Sequence, residues 1–414
     1  MAEYAAAPDP REGLFTFGPF RGLRNNTSPD AFSPEDLAVA LNVDLDDSLA
    51  TGRRKGYSAP VTAAVDRDLW ASGAVCLGVG SNTLKMINPD FSTTTLRAGL
   101  TAGRALSYAV AGDRVFYANG VELGCVQNGI DRAWGLAVPG TPVAAAGNGA
   151  LAAGLYQYVV TYLRADGQES GAGKAGTIEL MTAGGIELAS ISVSADPTVA
   201  HKIVYATSVG GQTLYRAGLI ANADTTYAIR EVRTGASPLV TQFLSLPPAG
   251  DHIAYWNGWM LVAQGARLYP SEAYAPELFD LRKAVPLLDR ITMVAPVRDG
   301  VWLGTNSQVL WLTGDSPETW KYRAVADYGV IPGALAYADS ELLAGGTPGE
   351  QIAFFATKRG LCVGHIGGAF ANLTAERFAY PVQERGAAVV RRHRGIVQLV
   401  ATLQGAEIAG NAAA

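Results

Sequence analysis

Three aspartates and three bases crowd one short stretch, "LNVDLDDSLATGRRKGY", residues 41–57. Asp44, Asp46 and Ser48 have the one-three-five spacing of a calcium loop. Such a loop needs glycine at its sixth position and glutamate at its twelfth. Leu49 and Lys55 stand there instead. A turn leading into a strand is the better reading of the aspartates. The run Arg53, Arg54, Lys55 has the charge to grip phosphate, but it is short, and the acids just upstream can pair with it. The four histidines, His201, His252, His365 and His393, have no second histidine or cysteine at zinc-ligand spacing. No nucleophile-elbow motif accompanies them, so a serine-histidine-aspartate hydrolase has no sequence support. A propeller glycosidase would need paired carboxylates and recurrent Asp-box turns. "TGDSPETW", Thr313 to Trp320, resembles such a turn, lacks its glycine and does not recur. No glycine-rich phosphate loop precedes a helix. The expectation is a chain with no enzyme activity, no cofactor and no metal.

The elements that would position these residues are mostly strands. The 414 residues are 49% apolar and 17% charged, which is globular composition. Forty-eight glycines lie between short apolar runs rich in Val, Ile, Leu, Tyr and Trp, the pattern of many tight turns between strands. The net charge of −5 argues against a protein that holds a duplex by its phosphates, and is compatible with an acidic channel that DNA slides through. Cys76, Cys125 and Cys362 are far apart, in apolar surroundings, and read as buried small side chains of a protein made in a reducing compartment. The start, "MAEYAAAPDPREG", has no apolar signal core, and the uncharged stretch from Ala133 to Leu163 is broken by Pro, Gly and Asn, so no membrane span is expected. The Asn25, Asn26 and Asn372 sequons carry no weight without a secretory signal.

Helix signals are few. "SPEDLAVALN" predicts a short helix, with Ser33 as N-cap, Pro34 in the first turn, Glu35 and Asp36 at the positive end, and Leu37, Ala40 and Leu41 on one face. A weaker helix is predicted over "EAYAPELF", interrupted by Pro276. Elsewhere a strand-turn-strand pattern returns, with turn glycines at Gly73, Gly112, Gly258, Gly300, Gly360 and Gly395. Repeats of roughly 40 to 50 residues, each a few antiparallel strands, are the mark of a β-propeller. The fold class is therefore all-β: about six blades, an inserted sandwich and a short N-terminal helix. Trp256, Trp259, Trp302 and Trp311 fall in blade strands and read as packing, with a carbohydrate platform as the alternative.

The long step from Gly112 to Gly258 holds one blade spacing plus about 100 extra residues. In "LYQYVVTYLRADGQESGAG" aromatic residues alternate and an Asp-Gly turn follows. Five further strand-like runs to about residue 235 predict an immunoglobulin- or fibronectin-like sandwich. The expected divisions are residues 1–60, an N-terminal arm with the helix and first strand; 61–139, the first blades; 140–245, the inserted sandwich; and 246–414, the remaining blades.

The stretch "GLRNNTSPDAFSPEDLAVALNVDLDDSLATGRRKGY" resembles the N-terminus of tail-nozzle and packaged-DNA-stabilisation proteins of short-tailed phages, which are β-propellers. The shared features are the start at Gly22–Asn26, the helix at Leu37–Leu41, "NVDLD" at Asn42–Asp46, and a basic strand from Arg53 ending in Gly56-Tyr57. "DDSLATGRRKGY" departs from the cleaner glycine turn of that pattern. Three further stretches are similar, in order: "YQYVVTYLRADGQESGAG", "PPAGDHIAYWNGWMLVAQGARLYPSEAYAPELFD" and "ITMVAPVRDGVWLGTNSQVLWLTGDSPETW". Together they cover about a third of the chain.

The resemblance implies a virion structural protein of the phage tail, assembled in the host cytoplasm. It would form a ring, usually a hexamer, below the portal and adaptor proteins. The ring extends the DNA channel and retains packaged genome until ejection, without sequence recognition. Partners would be other copies, adaptor and portal, tail fibres or needle, and passing viral DNA. Arg24, Asn25, Asn26, Asn42, Asp44, Asp46, Arg53, Arg54 and Tyr57 are the candidate assembly interface. The alternative is a receptor- or glycan-binding propeller of a virion.

Overall fold

The computed structural model describes residues 19–404 except 42, 47, 48, 55, 57–63, 74, 343–345, 381, 382, 394 and 395. Among them there is no α-helix, only strands and single turns of 3-10 helix. The chain forms two compact units: residues 60–324, and residues 1–59 with 325–414. The 140–245 segment lies inside the first unit.

The 60–324 unit carries four antiparallel four-stranded meanders, the last strand of the fourth running two residues past its end. Blade 1 is Arg67–Ser72, Val75–Gly80, Thr83–Ile87 and Thr93–Arg97. Blade 2 is Ser107–Ala111, Arg114–Ala118, Leu123–Gln127 and Ile130–Arg132. Blade 3 is His252–Trp256, Trp259–Gln264, Arg267–Pro270 and Val285–Pro286. Blade 4 is Ile291–Val297, Gly300–Thr305, Val309–Thr313 and Lys321–Ala326. Each sheet runs in simple chain order, the blade topology of a β-propeller.

Successive blades bury apolar faces against each other. Leu77, Val79 and Leu84 of blade 1 meet Val115, Tyr117 and Val126 of blade 2. Phe116, Ala118 and Cys125 of blade 2 meet Ile253, Met260 and Val262 of blade 3. Trp256, Leu261 and Leu268 of blade 3 meet Val301, Leu303 and Leu310 of blade 4. Polar pins cross the same seams. Tyr117 Oη donates to Asp131 Oδ1 (2.6 Å) and accepts from Arg97 (3.1 Å). The Ser107 hydroxyl bonds the main chain of Ile253 (3.0 Å from its N–H), and Trp256 Nε1 donates to Val297 O (3.0 Å). Blades 2 and 3 are thus neighbours in space although more than a hundred residues separate them in sequence.

The intervening segment is a two-sheet sandwich. One sheet pairs Val143–Leu151, Gly184–Ala189 and Tyr227–Ile229; the other pairs Gly176–Leu180, Gly154–Arg164, Val199–Ala206 and Tyr215–Ala221. Leu151, Ile186, Leu188 and Ile229 of the first pack on Tyr156, Tyr158, Val160, Val204 and Ile220 of the second. The alternation of Tyr156, Tyr158 and Val160 puts these three on the core face, as expected for period two. The opposite face is also covered: Val159, Ile203 and Tyr205 lie under Leu214 and Leu239. The Asp-Gly turn is present, with Gly167 at φ +91 and Arg164 N–H closing on Gln168 O (2.9 Å).

The second unit holds blade 5, Val330–Asp339, Gln351–Thr357, Gly360–Gly364 and Phe370–Asn372, and two hairpins. One hairpin pairs Val43–Leu45 with Thr51–Arg53, the other Arg385–His393 with Ile396–Gln404. The latter packs along the first strand of blade 5. A Cβ at Gly333 would lie 2.3 Å from Gly386 O, so only glycine allows that approach. Five complete blades are described. The sixth expected turn glycine, Gly395, lies outside the described residues.

Two expectations fail. The helix over 33–42 is absent. Asp36–Leu37 is instead a short strand parallel to Gly22–Leu23. Arg21 N–H and Arg24 N–H take the carbonyls of Glu35 and Leu37 (2.8 and 2.9 Å), removing acceptors that a helix would need. Of the predicted apolar face Leu41 is exposed and Leu37 and Ala40 are only half-buried, so the stripe has no core to pack on. Ser33 does cap locally, its hydroxyl accepting from Glu35 N–H at 3.2 Å. The "EAYAPELF" helix is absent too. Glu272 bridges Ala275 across a tight turn with Tyr274 at φ +58.

Candidate functional site

The expected interface residues that are described lie in the 1–59/325–414 unit, and Asn25, Asn26 and Asp44 among them make two contacts with the chain's own C-terminal part. The first is a clasp. Asn25 sits just after the Gly22–Leu23 strand. Its Nδ2 donates to Ala379 O (2.7 Å), and its Oδ1 accepts from Ala379 N–H (2.7 Å). Its own N–H donates to Arg377 O (2.9 Å). The side-chain amide thus imitates a strand's peptide group, a task that needs donor and acceptor on one planar head. Asn26 Nδ2 donates to Ala375 O at 3.3 Å.

Beside the clasp, the Asp36 side chain is 1% exposed between Arg24 (3.0 Å) and Arg377 (3.1 Å). The hydrogen bond from Arg24, then that from Ser33 N–H, holds its carboxyl below the usual carboxylate range. Arg377 also donates to Arg21 O. Replacing Asn25 by Asp should remove one donated bond and set a negative charge against Ala379 O. We expect faster hydrogen exchange of residues 20–37 and 375–380 together in N25D, with exchange in the sandwich unchanged. Exchange confined to one of the two segments would contradict the clasp. Acid should loosen the same contact. A lowered Asp36 pKa contributes stability above the unfolded pKa, lost as pH falls through the folded one.

The second contact is at the Val43–Arg53 hairpin. Asp44 Oδ1 accepts from Arg54 Nε (2.9 Å), and Asp44 Oδ2 lies 3.5 Å from Arg391. Its carboxylate is therefore engaged by arginines. The turn reading of the aspartates holds: Asp46 Oδ1 accepts from Ala50 N–H (2.9 Å), and Leu49 takes φ +61. Arg53 is exposed. Asn42 and Tyr57 lie outside the described residues, as do Ser48 and Lys55.

The clasped segment also walls a cavity of about 430 Å³, lined by Tyr328, Lys358, Arg359, Asn372, Ala375, Phe378, Ala379 and Tyr380. Lys358 and Arg359 form the hairpin turn before Gly360. The Arg359 guanidinium lies over the Tyr328 ring, 5.2 Å from its centroid, and 3.4 Å from Asp327. Gly360, at φ +144, would place a Cβ 2.4 Å from Asn372 Oδ1, so glycine is required where Asn372 Nδ2 bonds Arg359 O (2.9 Å). The Phe378 and Tyr380 rings stand 5.8 Å apart, and Tyr380 Oη donates to Thr357 O. Burial pushes the Tyr380 phenol up to about 12, so it stays a neutral donor at physiological pH.

Sequence reasoning passed over this cavity. Its only signals were Gly360 as a turn glycine and Asn372 as a sequon. Elsewhere, Trp256, Trp302 and Trp311 are at most 3% exposed, so these three are packing and not an open platform. His201, His252 and His365 stand on separate elements, and no group of three or more metal-binding side chains occurs among the described residues. Cys125 and Cys362 are buried, their thiols pushed up to about 12 and about 11. No helix of the described residues is long and apolar enough to cross a membrane.

No family profile matches the chain, and no curated protein does. Among solved structures it is similar to streptogramin B lyase, at 8% identity and a TM-score of 0.32, over 84% of this chain and 96% of that one. It is similar to apo AztD from Citrobacter koseri at 11% identity and a TM-score of 0.28, over 87% and 93% of the two chains. It is also similar to PorZ, a surface component of the type-IX secretion system of Porphyromonas gingivalis, at 12% identity and a TM-score of 0.20, over 82% of this chain and 50% of that one. At these scores the likeness carries no argument about function. The propeller-type fold rests on the blade order itself.

Proposed function

We propose that this chain is a structural virion protein of a short-tailed phage, of the tail-nozzle or hub type. In this reading copies close into a ring below the portal and adaptor, and the ring carries the DNA channel and helps retain the genome until ejection. The observation that carries the reading is the neighbouring of blades 2 and 3 across a complete inserted sandwich. Propeller strands interrupted by such a domain are what the ordered sequence resemblances lead one to expect. The net charge of −5 suits a surface that DNA passes without sticking. Ring contacts of this kind are head-to-tail and close by rotation. Because Asn25, Asn26 and Asp44 already hold the chain's own C-terminal part, with Arg24 and Arg54 paired inside the arm, the arm's role in assembly is to shape that surface, and exposed Arg53 is left for a neighbour.

Negative-stain imaging of the purified chain, alone and with a portal-adaptor complex, tests the proposal. Rings with a central channel, formed alone or only on the adaptor, are expected. A monomer that ignores the adaptor would sink it. The receptor-binding alternative is favoured by one observation, the cavity lined by aromatic and cationic side chains, and a stable monomer that binds a glycan array would establish it.

A further inference from the structure

We infer that the cavity between the Lys358-Arg359 turn and the Ala375–Tyr380 segment is a binding site for an uncharged sugar ring. The C–H face of the sugar would lie on the Phe378 ring, and its hydroxyls would meet N–H donors of Arg359 at the mouth. Four observations converge. First, the volume of about 430 Å³ falls within the range of small-molecule pockets. Second, the lining is aromatic, with Tyr328, Phe378 and Tyr380 around Ala375 and Ala379. The phenol hydroxyls are committed elsewhere: Tyr380 Oη donates to Thr357 O, and Tyr328 is engaged by Asn372 and Cys362. What these side chains offer a ligand is therefore ring carbon, which suits the apolar face of a flat ring. Third, the charges are already balanced. Lys358 has a partner of its own and Arg359 pairs with Asp327 at 3.4 Å, so the lining favours a neutral ligand over an ion. Fourth, hydrogen-bonding capacity survives that pairing. A guanidinium carries several N–H donors, and the Asp327 contact takes one of them on a side chain that is 64% exposed. A sugar hydroxyl accepts from such a donor without any uncompensated charge.

The rest of the lining sets the shape. Arg359 lies over the Tyr328 ring, 5.2 Å from its centroid, which fixes the guanidinium plane and leaves Phe378 as the stacking face. Asn372 Nδ2 ties the turn down through Arg359 O. The far wall, Ala375 and Ala379, is fastened by Asn26 and Asn25 of the arm, so the pocket is formed before a ligand arrives and little ordering is lost on binding. The site gives the receptor-binding alternative a place on the chain. It stands apart from the assembly reading: a ring that binds sugar keeps both, and a ring that binds none loses only the site.

Calorimetric titration of the full chain with the methyl glycosides of glucose, galactose, mannose and N-acetylglucosamine tests it, with sorbitol as an open-chain polyol and glucuronic acid as an anionic sugar. At least one glycoside should bind with a Kd of about 1 mM or tighter, and sorbitol about tenfold more weakly or not at all. Glucuronic acid should bind no more tightly than the best neutral glycoside. Phe378→Leu keeps an apolar side chain and loses the ring; R359Q is a surface change that removes the guanidinium donors. Each should weaken glycoside binding about tenfold, R359Q at an unchanged melting temperature. Binding of none of the four glycosides, equal binding of sorbitol, tighter binding of glucuronic acid, or unchanged affinity in either variant would each overturn the site.

Discussion

Trp134→Ala should lower the stability of the 60–324 unit by about 3–5 kcal/mol. Trp134 is 1% exposed, at the point where the chain leaves blade 2 for the inserted sandwich. Its ring packs on Phe116 of blade 2 (centroids 5.0 Å apart) and edge-on to Phe279 (6.5 Å), in the segment that follows the third strand of blade 3. Its Nε1 donates to Pro276 O at 2.8 Å, a buried bond. One side chain therefore fastens blade 2 to the far side of blade 3 while the intervening residues form another domain. Alanine would leave a cavity and an unpaired carbonyl, and the two costs add. Trp134→Phe keeps much of the volume and loses the bond, so about 1–2 kcal/mol is expected. Calorimetry separates these outcomes. A loss under about 1 kcal/mol in the alanine variant would mean that the seam between blades 2 and 3 is held elsewhere.

Such seams explain which parts of the fold could be read from sequence. Gly73, Gly112 and Gly258 sit in the first hairpin of their blades with positive φ, a local requirement that composition exposes directly. Gly300 begins the second strand of blade 4 without a positive φ, yet marks the same hairpin. Gly360 lies in the second hairpin of blade 5, not the first, which is why the glycine steps there looked irregular. The Tyr156-to-Tyr162 alternation named a strand because period two is fixed by the pleat.

The arm shows the opposite case. Residues 33–41 have a good helix signature, but Arg24 and Arg377 converge on Asp36, and Arg377 is hundreds of residues away in sequence. A local propensity worth a few tenths of a kcal/mol per residue does not survive that competition. The clasp was half legible: Arg24, Asn25 and Asn26 were singled out, their partners were not. The cavity itself was not legible, since its lining comes from Tyr328, the 358–359 turn and the 372–380 segment, and the turn glycine Gly360 and the Asn372 sequon do not say that these three meet.

The pH dependence of stability should carry a term from His252, the first residue of blade 3. Burial pushes its imidazole from 6.5 down to about 4; the neighbouring Asp251 opposes this and Arg290 adds to it. Asp251 cannot act as a dedicated counter-ion, because Arg290 (2.6 Å) and Arg104 (3.7 Å) already share its carboxylate. The sign follows from linkage. The unfolded chain binds the His252 proton below pH 6.5, and the folded chain does so only below about 4. Neutral His252 therefore contributes its full stability above pH 6.5, and the contribution falls away as the pH drops through the folded value. The span between the two pKa values corresponds to on the order of 3 kcal/mol. Carboxylates titrate at the lower end of the same window, so the informative quantity is a difference. Urea unfolding of the wild type and of His252→Gln, from pH 7.5 to 4.5, should give curves that separate by a changing amount. The wild type should lose stability relative to the glutamine variant as the pH falls, starting near 6.5. A constant separation would mean that the imidazole titrates alike in both states. A wild type that gained on the variant in acid would mean that Asp251 holds the imidazolium after all, and that the Arg104–Asp251–Arg290 cluster leaves negative charge to spare where the first strands of blades 2, 3 and 4 begin.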